Sequence, residues 1–130
     1  MTTTPIYAAI LALLFVVLSV RVIGARRGAG ITLGDGGDMD LLRRQRAHGN
    51  FAEYVPMALL LMALAELQGT LSSVVHAMGA VLVFGRAIHA LGVSREPEWI
   101  AMRVTGMAST FAVLVVGALL NLTGGGWPFD

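Results

Sequence analysis

Four apolar segments occupy most of this 130-residue chain, and each supplies much of the ~20 residues that a helix needs to cross a hydrocarbon layer. The first, Pro5 to Val20, contains no charged residue at all. Composition agrees: 56% of residues are hydrophobic and 13% charged, whereas charged residues make up about a quarter of an ordinary soluble domain. The expected fold is all-α, an integral membrane four-helix bundle that uses residues 1–130 as a single membrane domain. Its helices are expected at about 5–23, 39–68, 71–91 and 99–122.

Local signals place the connections. Arg21, Arg26 and Arg27 follow the first apolar run rather than precede it, which is the order of a retained anchor and not of a cleaved signal peptide. Gly24 to Gly37 holds six glycines and is expected to be an exposed loop. Asp38 or Asp40 is positioned to cap the second helix. Pro56 inside that helix removes a backbone donor, so a kink is expected there. Gly69 and Thr70 begin a tight turn, and Gly92 to Glu98 with Pro97 forms a polar loop before Trp99, a residue suited to the membrane interface. Gly79, Gly85, Gly106 and Ala108 fit close helix packing.

All nine basic residues are arginine. Those at 21, 26, 27, 43, 44 and 46 flank the first connection and those at 86, 95 and 103 flank the third, while both termini and the second turn have none. The positive-inside rule then expects both arginine-rich connections to face the cytoplasm and both termini to face out. Part of this set needs no further role: Arg21, Arg44 and Arg95 read as topology determinants snorkelling to headgroups.

The segment Arg43 to Pro56, RRQRAHGNFAEYVP, needs another explanation because it carries polar groups into an apolar stretch. At about 100° per residue, Arg43, Arg46, Asn50 and Glu53 fall within one sector of about 80°. Ionisable groups at the edge of a bilayer are usually paired or face a cavity, so this stripe is the candidate site. Glu53 could instead be the partner of Arg46 or of an arginine on another helix. His76 reads as structural, and Glu66 as an interfacial acid.

There is no cysteine, so disulfides and a protein thiol nucleophile are excluded and any sulfur nucleophile must be brought in. No metal-ligand spacing, nucleotide loop or repeat is present, and neither a metal nor a nucleic-acid partner is expected. Several guanidinium groups suit carboxylates, and one carboxylate suits an ammonium. A zwitterionic peptide thiol such as glutathione fits that inventory, with Arg103 available to hold the thiolate.

RAHGN at 46–50, EYVP at 53–56, ARR at 25–27, FGRAIH at 84–89 and the arginine at 103 together resemble the MAPEG family, the membrane-associated proteins of eicosanoid and glutathione metabolism. The first motif is similar to prostaglandin-type members and the second to leukotriene-type members. The resemblance implies a bacterial-type homotrimer in an inner membrane, with glutathione bound between subunits near the cytoplasmic face. It implies glutathione-binding roles for Arg26, Arg46, His48, Asn50, Glu53, Tyr54, Arg86 and His89, and a catalytic role for Arg103. It also implies transferase or peroxidase chemistry on a lipophilic substrate arriving from membrane lipid. Val93 and Val104 depart from the pattern, standing where family enzymes have a tyrosine and a serine. A non-catalytic lipid- or thiol-binding protein on the same scaffold is the alternative. A small multidrug transporter is more remote, because helix one carries no acid.

Overall fold

The computed structural model describes residues 1–124; residues 125–130, the end of the expected domain and of the C-terminal flank used for orientation, lie outside the described residues. Among the described residues there are four α-helices and no strand: α1 (Thr4–Ala29), α2 (Met39–Leu67), α3 (Ser72–Ser94) and α4 (Ile100–Leu122). All four are long and apolar enough to cross a membrane.

Two helix ends differ from expectation. α1 continues to Ala29 instead of ending near residue 23. Gly24 and Gly28 have open space around them, and a solvated helical glycine costs only about 1 kcal/mol relative to alanine. Arg26 and Arg27 in the last turn meet the negative end of the helix dipole. Gly30, at φ 67°, then closes the helix in the left-handed conformation. α3 similarly runs through Gly92 to Ser94. A Cβ on Gly92 would lie 2.9 Å from the Arg103 nitrogen and 3.0 Å from the Trp99 oxygen, so this glycine serves close approach to α4 rather than a loop turn.

α2 starts at an Asp38 cap whose Oδ1 accepts from the Leu41 amide at 2.9 Å, and the helix stays continuous through Pro56. α2 and α3 form the middle of the bundle, each packing on the other three helices, whereas the backbones of α1 and α4 stay apart. Leu11, Leu18, Phe51, Val55, Met62, Leu82, Val113 and Leu120 are among the buried residues that fill the space between helices. α3 and α4 approach backbone to backbone, with an added Cβ on Gly106 falling 2.5 Å from the Gly85 carbonyl. Gly79 lies under the Tyr7 ring. Ala108, by contrast, is exposed.

The end of the bundle that lacks arginine is tied by Glu66. Its Oε1 accepts from the Thr2 and Thr3 amides at 2.6 and 2.7 Å, and its Oε2 accepts from Thr4 at 2.8 Å. Thr3 supplies no side-chain cap for α1, so a carboxylate from α2 satisfies the amides just before and at the start of α1 and faces its positive dipole end. His76 is structural here, sharing a 3.0 Å hydrogen bond with the Tyr7 hydroxyl.

Candidate functional site

At the opposite, arginine-rich end, α2, α3 and the start of α4 enclose a cleft of about 190 Å³ lined by Met39, Leu42, Arg43, Arg46, Asn50, His89, Val93, Glu98 and Arg103. Helical spacing brings Arg43, Arg46 and Asn50 to one wall. His89 and Val93, one turn apart on α3, form the second, and the α3–α4 connection supplies Glu98 with Arg103 following in the first turn of α4.

Arg86 stands behind this wall. It is 2% exposed, donating through Nη1 to Asn50 Oδ1 at 2.5 Å and through Nη2 to the Gly106 carbonyl at 3.2 Å. Among the described residues its buried Nε has no hydrogen-bond partner and no carboxylate pairs with the guanidinium. A buried guanidinium normally requires compensation for lost hydration. Here that compensation comes from neutral acceptors, so the charge stays uncancelled behind the cleft.

The remaining cations differ in commitment. Arg46 is exposed and forms no ion pair or hydrogen bond with the described residues. Arg103 is bound through Nη1 to Glu98 Oε1 at 2.6 Å. Arg43 reaches the Arg95 carbonyl at 3.1 Å and stands 3.9 Å from Glu96. His89 is buried and lines the cleft. With three arginines and one carboxylate in its lining, the cleft presents chiefly donors and positive charge.

The cleft thus brings together Arg46, Asn50, His89 and Arg103, with Arg86 behind them. The other residues expected at the site stand elsewhere in a single chain. His48 shares a 3.1 Å hydrogen bond with Ser19 and stacks on Phe15 at 4.8 Å, facing α1. On a helical wheel it lies about 140° from Arg43, so this departure was readable from spacing. Tyr54 packs edge-on against Phe111 of α4 at 5.5 Å. Arg26 donates to the Gly34 carbonyl at 2.8 Å and borders a separate cleft with Arg27 and Ile31. Glu53 is exposed and pairs with none of the described arginines, which removes the salt bridge considered for it within one chain. Glu98 was not anticipated. The only hint was an acid just before a helix whose first turn carries an arginine.

Two apolar grooves run along the bundle, one of about 300 Å³ between α1 and α2 lined in part by Phe15, Phe51 and Pro56, and one of about 390 Å³ between α3 and α4.

The MAPEG family model matches residues 4–123. The chain is also similar to the inner membrane protein YecN of Escherichia coli K12, at 37% identity over 118 residues, which covers 90% of this chain and 88% of that protein. The protein of the same name from an O6:H1 strain of Escherichia coli matches with the same identity and coverage.

Proposed function

The chain belongs to the MAPEG family as an integral membrane protein, and from that premise we propose that it binds glutathione and uses it as co-substrate. The observation that carries this reading is the donor-rich cleft: Arg43, Arg46 and Arg103 with Asn50 and His89 around it, and the uncancelled charge of Arg86 behind. Such a lining favours a ligand rich in acceptors and negative charge. Glutathione brings two carboxylates, amide carbonyls and a thiol that ionises to an anion.

A single chain supplies only part of the site. At about 190 Å³ the cleft is below the usual range of about 300–1,000 Å³ for small-molecule pockets. Glu53, exposed and without a partner among the described residues on a helix long and apolar enough to span a membrane, is a charge that calls for cover. Both features support a homotrimer in which a neighbouring subunit covers this face and contributes Arg26. Glu53 then meets the ligand amine and Tyr54 borders the site.

In the proposed reaction Arg46, Asn50 and His89 hold the tripeptide, Arg86 fixes Asn50, and Arg103 stabilises negative charge on sulfur. The bound thiol, its proton released to solvent, would supply a thiolate that attacks an electrophilic carbon, forming an S–C bond as the leaving group departs with its electron pair. With a hydroperoxide the attack would instead cleave the O–O bond and release an alcohol, a second thiol completing the disulfide and water. The apolar groove between α1 and α2 is open to lipid and suits a lipophilic substrate. The arginine-rich end faces the cytoplasm of a bacterial inner membrane in this reading.

A non-catalytic binding protein on the same scaffold is the second reading. The pairing of Arg103 with Glu98 favours it, because the cation proposed to hold the thiolate already has an anion. Calorimetric titration of the purified protein with glutathione tests the shared premise. Saturable binding at one site per subunit interface is expected, and absence of binding overturns it.

A further inference from the structure

Arg103 and Glu98 both line the cleft, and they are joined at 2.6 Å. The pair is partly open, with the Arg103 side chain 49% exposed and that of Glu98 29%, so a ligand can reach either member. Glu98 is also held in place. The Trp99 amide donates to the Gly92 carbonyl at 3.1 Å, Arg95 lies 4.8 Å from the Trp99 ring centre, and Arg43 grips the Arg95 carbonyl. The connection thereby fixes a carboxylate against the one cation at the start of α4.

We propose that Glu98 is a built-in competitor for Arg103, occupying this guanidinium until an anionic sulfur displaces it, and so sets which thiols the site can activate. The inference rests on the glutathione reading above and adds its threshold. A carboxylate at Arg103 opposes the nearby thiolate twice. It occupies the best donor, and its own charge repels the developing anion. A thiol whose remaining groups bind Arg46 and Asn50 firmly can displace Glu98. A small thiol lacking those groups cannot, and this discriminates against simple thiols without any steric filter.

Among the described residues of one chain, the charged and titratable groups around the pair are Arg43 and Arg46 from α2, His89 from α3, and Arg95 and Glu96 from the α3–α4 connection; Arg26 of a neighbouring subunit would join them in the reading above. Glu98 has a simpler possible role, that of an acid placed before a helix to oppose its dipole. That role affects stability but leaves the ionisation of a bound thiol unchanged, and this difference is what the experiment reads.

The ultraviolet thiolate absorbance of bound glutathione should be followed against pH in the full chain, in detergent, for the wild type, Glu98→Gln and Glu96→Gln. Glu98→Gln is expected to lower the pH midpoint of thiolate formation by about one unit and to raise the rate with a generic electrophile below that midpoint by up to about tenfold. Glu96→Gln, whose carboxylate is near Arg43 and not Arg103, is expected to leave the midpoint unchanged. A midpoint unchanged or raised in Glu98→Gln overturns the competitor, as does an equal shift in Glu96→Gln, while glutathione binding itself stands. Binding seen in Glu98→Gln but not in the wild type supports the competitor in its strongest form. No glutathione binding by either protein overturns both this inference and the reading beneath it.

Discussion

Arg86 and Asn50 form a fixed pair in which the guanidinium, able only to donate, commits the amide oxygen of Asn50 at 2.5 Å. The amide nitrogen is left for the cleft that Asn50 lines. The oxygen is turned toward Arg86, so the amide N–H groups are the part of Asn50 freed for the cleft, which suits a carboxylate or carbonyl on the ligand. Asn50→Ala is expected to lower stability by about 1.5–3 kcal/mol, the range for a hydrogen bond to a charged group whose partner stays buried. Thermal melts of Asn50→Ala, Arg86→Met and the double variant check this, with clear non-additivity expected.

Glu53 tests whether the site crosses a subunit boundary. Exposed and without a partner among the described residues of one chain, Glu53 is not part of the bundle's described contacts, so Glu53→Gln should fold and assemble normally. Glutathione affinity is expected to fall about tenfold to a hundredfold through loss of a charge-assisted bond. A lost trimer with unchanged affinity per folded subunit would assign Glu53 to assembly instead.

Arg46 and Arg103 should fail differently. Arg46 is uncommitted at the cleft, so Arg46→Ala is expected chiefly to weaken binding. Arg103→Ala is expected to keep affinity within about tenfold while reducing thiolate absorbance and turnover with a generic electrophile, as for a group that acts on the reacting atom. Calorimetry and steady-state kinetics on both variants separate the two effects.

At the other end, Glu66→Ala removes the acceptor for the first three amides named above. Stability is expected to drop by about 2 kcal/mol, with faster hydrogen exchange at the start of α1. Glutathione affinity should stay the same, because Glu66 sits at the far end of α2 from the cleft.

The arginine distribution predicts that both termini lie on the non-cytoplasmic side, so a reporter fused after residue 130 should signal a non-cytoplasmic location. A cytoplasmic signal there would reverse the placement of the cleft.

Spacing and hydropathy made the four helices legible, along with the stripe from Arg43 to Asn50 that becomes one wall of the cleft. Both depend on periodicity within a single segment. The ends of α1 and α3 were less legible because glycine has two opposite uses: Gly24 sits in an open helix turn, whereas Gly92 permits contact with α4. Only the fold distinguishes these cases. The same limit applied to Glu98 and Glu66. Each acquires its role from a group distant in space or sequence, and a carboxylate in isolation does not announce which amide or guanidinium it will meet. His48 shows a different limit: it adjoins Arg46 and Asn50 in sequence, but adjacent residues of a helix point to different sides, and within one chain it faces Ser19 and Phe15.

The Glu66 clamp also has a meaning in time. During synthesis the amides of Thr2, Thr3 and Thr4 emerge well before their acceptor, which follows more than sixty residues later, the Thr4 contact spanning 62 positions. Until α2 has threaded the bilayer, those amides depend on water or headgroups at the interface. The clamp can therefore close only once α2 has been made, so the start of the first helix takes this tie from the second.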